Sequence, residues 1–87
     1  MGLFSRFSKA KYDDAQLVSV ATRAIEEDPV IQNPGRVTVI SKDGVVALSG
    51  SVSTDTQMRH VEGTVNSALK TAGLKYAEIV NSLVVGE

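Results

Sequence analysis

The 87 residues predict an α+β domain, an α-β-β-α-β sandwich in which a three-stranded mixed sheet carries two helices packed on one face. Three observations point there. Asp43-Gly44 stands between two β-rich runs, 36–41 and 45–52, and Asp-Gly is the pair that the two positive-φ positions of a type I′ hairpin turn accept most readily. Apolar residues recur at helical spacing on both sides of that hairpin. A last run, 77–85, has strand-like alternation and follows a helix-length segment. Such a run returns through a right-handed crossover as a parallel neighbour of the second strand.

Length and composition set the scale of the molecule. A chain of this length holds one small core and not two. A hydrophobic fraction of 43% with nearly balanced charge, net −1, argues for a folded domain. No cysteine is present, so there is no disulfide framework, thiol nucleophile or zinc-thiolate site, which fits a reducing compartment. The near-neutral charge gives no general attraction to nucleic acid or anionic lipid, so any such attraction comes from a local patch. No apolar run reaches the length of a membrane span.

Residues 1–12 differ from everything after them and are read as a basic, aromatic N-terminal segment preceding a domain at 13–87. Both phenylalanines (Phe4, Phe7) and three cations (Arg6, Lys9, Lys11) fall here, with no acid. The segment lacks the apolar core and cleavage site of an export signal, so a cytoplasmic location is expected. Arg6 stands where N-myristoylation wants Ser or Thr. A short lead-in folded back onto the domain is the plain expectation. The functional one is a contact through Leu3, Phe4, Arg6, Phe7, Lys9 and Lys11 with a phospholipid surface or a partner protein.

The first helix starts near Asp13 or Asp14, where a carboxylate can cap free N–H groups, and stops before Pro29. Leu17, Val20, Ala21, Ala24 and Ile25 form its buried stripe. Glu26, Glu27 and Asp28 crowd its last turn against the helix dipole. They are either a solvated acidic end or, with loop carbonyls from 30–35, an oxygen-ligand site for a cation.

With Asp43-Gly44 as a two-residue loop, Val39 pairs with Leu48, Ser41 with Val46 and Val37 with Gly50. Val37, Val39, Val46, Leu48 and Val52 then share the core face. A three-residue loop from Lys42 competes but, without a bulge, misaligns the aliphatics. The second helix is capped at Ser53 or Thr54, and Thr54-x-x-Gln57 has the form of a reciprocal capping box. Its stripe is Met58, Val61, Val65, Ala68, Leu69 and Ala72, and Gly73 ends it. His60 falls off this stripe and is expected to be exposed. Gly63, inside the helix, marks a close approach or simple tolerance. In the third strand Ile79, Leu83 and Val85 are assigned to the core. Val80 and Val84 join Ile40 and Val45 on an outer apolar patch, where self-association is possible.

The run Val37-Thr-Val-Ile, the segment Asp43-Gly-Val-Val-Ala-Leu-Ser-Gly-Ser-Val52, the helix 14–28 before Pro29, and the closing Gly73-Leu74 with Ile79-Val-Asn-Ser-Leu-Val-Val85 together resemble the BON domain family (bacterial OsmY and nodulation). The likeness covers nearly all of the chain after Tyr12, with two additional residues between Gly73-Leu74 and Ile79 relative to the family's usual ending. It implies the same α-β-β-α-β fold, no catalysis, and a binding module associated with phospholipid membranes, envelope integrity and stress. A cytoplasmic branch, in which BON is joined to a LysM domain, binds potassium and starts with a similar Met-Gly-Leu-Phe; the present chain shares that start and has no LysM segment. The family's glycines map to Gly44, Gly50 and Gly73, read as a turn, a close helix contact and a helix terminator.

Catalysis finds little support in the residues themselves. The single histidine is off the packed stripe, and no phosphate-cradling glycine motif occurs. Nucleic-acid binding lacks both aromatic stacking residues and a gathered basic face. The expected function is therefore a non-enzymatic binding module without a cofactor, with a potassium sensor at Glu26, Glu27 and Asp28 or a self-associating structural protein as the other candidates.

Overall fold

The computed structural model describes residues 12–86. Helix α1 spans Asp14–Glu27, strand β1 Val37–Lys42, β2 Val45–Val52, helix α2 Asp55–Thr71, β3 Glu78–Asn81 and β4 Val84–Val85, with a 3-10 turn at Pro34–Arg36. β1 pairs with β2 antiparallel, and β3 and then β4 pair with β2 in parallel, so β2 is the central strand. The expected architecture is the observed one.

The hairpin turn has φ of 51° at Asp43 and 82° at Gly44, the two positive values that a type I′ turn requires. The register is the one inferred from the two-residue loop, with Val39 opposite Leu48, Ser41 opposite Val46 and Val37 opposite Gly50. β1 begins one residue later than the sequence pattern suggests. The Arg36 N–H donates to Asn33 O at 2.9 Å, which closes the 3-10 turn and keeps Arg36 out of the strand.

Leu17, Ala21 and Ile25 of α1 and Val61, Val65 and Leu69 of α2 close over Val39, Val46, Leu48 and Val52 of the sheet. Val20 and Ala24 are only half-buried, because they face outward beside α2. Ala72 is exposed, because α2 has ended at Thr71 and Ala72 serves as its C-cap. Ile31 is a core residue that lies in no regular element. It is buried because the loop after α1 folds inward, an arrangement that helical or strand periodicity cannot report.

Two of the three glycines do what was expected. Gly44 makes the turn. Gly73, at φ 73°, lets Leu74 N–H donate to Leu69 O at 3.1 Å and its own N–H to Lys70 O at 3.0 Å, the paired bonds of a Schellman terminus. The expectation for Gly50 needs correction. Its near neighbour is not a helix but the backbone of the segment entering β1. A Cβ on Gly50 would stand 1.9 Å from the Arg36 carbonyl oxygen, and its φ is 114°.

The third strand is two short strands in one register. Asn81 lies opposite Leu48 and Val84 opposite Ser51, so Leu83 falls across from Gly50, where no side chain competes for space. Leu83 is accordingly buried. Between the two strands Asn81 Oδ1 accepts from Leu83 N–H at 3.1 Å. Val85, assigned above to the core, is 47% exposed; it stands opposite Val52 at the end of the sheet, one residue before the last described position.

Candidate functional site

Three polar side chains hold the elements in place, and each spans a long stretch of sequence. Asp13 caps α1 by accepting from Gln16 N–H, which frees the adjacent Asp14 for another task. Asp14 Oδ1 accepts from Ser41 Oγ at 2.7 Å and Gly44 N–H at 2.9 Å, and Oδ2 accepts from Asp43 N–H at 2.9 Å. The first turn of α1 is thereby fastened to the hairpin tip. Hydrogen bonds from the Ser41 hydroxyl, then from Gly44 and Asp43, hold its pKa below the ordinary carboxylate value.

Asp28 does the same at the other end of α1. Its Oδ1 accepts from Val30 N–H at 2.9 Å across Pro29, and its Oδ2 accepts from Thr64 Oγ1 at 2.6 Å. His60 Nε2 lies 2.8 Å from the same Oδ2; an ionised carboxylate only accepts, so this ring nitrogen carries the proton. Hydrogen bonds from Thr64 and then Val30 lower the Asp28 pKa; partial burial pushes it up by less than either of them, and each contribution of His60 to the lowering is smaller again. A carboxylate set against the helix dipole is thus compensated by donors from α2. His60 is correspondingly half-buried and engaged, not the free surface residue its position off the stripe suggested.

Gln57 is the third tie. It is buried; its Nε2 donates to Val30 O at 2.7 Å and its Oε1 accepts from Gln32 N–H at 3.0 Å. The expected capping box is therefore half formed. Thr54 Oγ1 accepts from Gln57 N–H at 3.1 Å, but the Gln57 side chain turns to the loop instead of back to the cap, because the loop offers it both a donor and an acceptor. At the far side Asn81 Nδ2 donates to Met58 O at 3.2 Å and Glu62 Oε1 at 3.0 Å, joining β3 to α2. The Tyr76 hydroxyl donates to Asn66 Oδ1, which pins the connection 74–77.

Between the helices, on the side away from the sheet, runs an open groove of about 1100 Å³. Val20, Ala24, Gly63, Ser67 and Ala68 line it, and Arg23, Glu27, Asp28, Arg59 and His60 bring charge to it. A Cβ on Gly63 would meet nothing within 4 Å, so its presence reflects tolerance and not a close approach within the described residues. Asp28 Oδ2 accepts from Thr64 Oγ1 and lies 2.8 Å from His60 Nε2, so the Asp28, His60 and Thr64 group clasps the end of α1 to α2.

Among the described residues no three His, Cys, Asp or Glu side chains gather where they could hold a metal ion. Of Glu26, Glu27 and Asp28, the first two are exposed and Asp28 is occupied as above. Val30 O, an expected loop ligand, already accepts from Gln57. Leu3, Phe4, Arg6, Phe7, Lys9 and Lys11 lie outside the described residues. Tyr12 is within them, packed against the core and over Gly44 at the hairpin tip.

Fold and ties define the class of molecule, a small α+β domain in which polar side chains lock two helices and a hairpin to one another. No helix among the described residues is long and apolar enough to cross a membrane. Compared with models of protein families the chain matches none, and no curated protein matches it either.

Both lowered carboxylates make stability depend on acid. A carboxyl group whose folded pKa is depressed contributes stability that is present above its unfolded value, about 3.9, and is lost as pH falls through the folded value. The melting temperature is expected to be level between about pH 5 and 7 and to drop below about pH 4. Asp14→Asn and Asp28→Asn each lower the neutral-pH melting temperature and flatten that drop, which a pH series of thermal melts by circular dichroism reads directly.

Proposed function

We propose that the chain is a non-enzymatic binding module of the BON kind that attaches peripherally to anionic phospholipid membranes through its N-terminal segment, in keeping with a role in envelope maintenance or stress. The observation that supports this most is the distribution of charge. Of nine cations three lie in residues 1–11 with no acid among them, leaving six cations against all ten acids in the remainder. The body of the domain is net negative and is repelled by an anionic surface; attraction must come from the segment.

The placement of Tyr12 fits the same reading. It fixes the root of the segment at the hairpin tip, the end where α1 begins. Glu26 and Glu27 stand at the other end of the 14-residue α1, about 21 Å away and well beyond the roughly 8 Å over which charges act in physiological salt. A membrane held at the tip does not feel those two; the acids that stand at the tip itself, Asp13, Asp14 and Asp43, are the ones the three cations of the segment have to outweigh. A cation site at Glu26, Glu27 and Asp28 has no such support, since Asp28 would first have to release three donors.

Co-sedimentation with vesicles tests this reading. Three cations are worth about 3 kcal/mol at an anionic surface, so the full chain is expected to partition onto phosphatidylserine-containing vesicles roughly a hundredfold better than residues 12–87 alone. Neither chain should bind purely zwitterionic vesicles comparably. Equal partitioning of the two chains would remove the segment from the function.

A further inference from the structure

We propose that two copies of this chain pack face to face through the sheet surface opposite the helices, about a two-fold axis running along β2. The register lays out that surface in rows. Ile40, Ala47 and Val80 stand side by side across β1, β2 and β3, and the next row is Lys42, Val45 and Glu78. Ile40 and, further along, Val84 are each 59% exposed. The middle of the face is thus aliphatic, and one row has a cation at one edge and an anion at the other.

The charges select both the occupant and the axis. A two-fold axis along β2 lays β1 of one copy over β3 of the other and keeps every residue at its own height along the strands. Lys42 then faces the partner's Glu78, twice over; Ile40 faces the partner's Val80, also twice; and Ala47 meets its own counterpart. An axis across the strands lays β1 on β1 and leaves Lys42 and Glu78 opposite uncharged residues. Aligned sheets pack about 10 Å apart with strands turned by about 30°, a gap that facing Lys and Glu side chains bridge, while alanine at the axis lets the two central strands come close. The patch, about 14 Å wide over three strands and about 20 Å long, buries less than the roughly 1,200 Å² of a standard interface. The dimer is therefore a weak one, with dissociation in the range of about 10 μM to 1 mM.

Sedimentation equilibrium of the full chain over that range tests the proposal. The mass is expected to rise with concentration from 9.2 kDa toward twice that value. Lys42→Glu and Glu78→Lys should each weaken association at least tenfold by facing like charges, while an equimolar mixture of the two, and the double variant K42E/E78K, should recover it. Ala47→Lys, which sets two cations together at the axis, should abolish it with the melting temperature retained. A mass that stays monomeric throughout, or single variants that associate as the parent does, would overturn the proposal. So would association that appears only once residues 1–11 are removed, because the chain's own N-terminal segment would then be the occupant of the face.

Discussion

Replacing Gly50 by alanine should be the most damaging single-methyl change in the domain, lowering stability by about 3 kcal/mol or more and the melting temperature by about 15 °C or more. Two costs coincide there. The backbone sits at φ 114°, and the added Cβ would stand 1.9 Å from the Arg36 carbonyl oxygen. Left-handed backbone alone costs about 1–2 kcal/mol for an L-residue. The clash adds to this because its partner is backbone, which cannot rotate aside, so the entry to β1 has to shift and take Val39 with it. For a domain this small, whose total stability is on the order of 5 kcal/mol, that leaves a partly unfolded population at room temperature.

Two sister substitutions separate these costs. Gly73 shares the positive φ, at 73°, but a Cβ there meets nothing within 4 Å. Gly73→Ala should therefore show only the conformational part, about 1 kcal/mol or 5 °C. Gly63 has neither problem and lies within α2, so Gly63→Ala should raise stability by about 0.5–1 kcal/mol. Urea denaturation of the three variants checks the order. Equal losses at Gly50 and Gly73 would mean that the approach of the Arg36 carbonyl carries no energy.

What the residues disclosed in advance was whatever depends on near neighbours or on strict periodicity. Asp43-Gly44 set the turn, the turn set the register, and the register set which of Val39, Val46, Leu48 and Val52 face inward, since a slip of one residue would turn them all to solvent. Asp13 at the start of α1, Pro29 after its end and Gly73 after α2 marked helix limits for local steric reasons. What stayed hidden were the ties between distant positions. Asp14 and Gln57 each had a plausible local role as cap or box member, and Asp28 one as part of an acidic helix end or a cation site, and local reasoning stopped there. A signal for one of them existed: with Asp13 and Asp14 adjacent, only one can cap, which leaves the other in search of donors. For Gln57 no such signal exists, because the loop that recruits it has no periodicity.

Removing that side chain should accordingly cost more than a capping residue would. Gln57→Ala deprives Val30 O and Gln32 N–H of their partners and uncovers the loop that seats Ile31 in the core. At about 1 kcal/mol for each hydrogen bond, more where water cannot substitute, the expected loss is about 2–3 kcal/mol, or roughly 10–15 °C in melting temperature. Gln57→Glu distinguishes hydrogen bonding from packing, since it keeps the shape. A neutral carboxyl can still donate to Val30 O and accept from Gln32 N–H, whereas an ionised one can only accept and sets negative charge against the Val30 carbonyl. The folded pKa of that glutamate is thus raised above its unfolded value of about 4.3, so the variant's stability is preserved below that value and lost as pH rises through the folded one. Its deficit relative to the parent should be small near pH 4 and approach that of the alanine variant by pH 7, while the alanine deficit stays level across the range. Parallel pH series of thermal melts for the parent and both variants measure this. A deficit for Gln57→Glu that does not change with pH would show that the amide bonds to the loop are not what holds it.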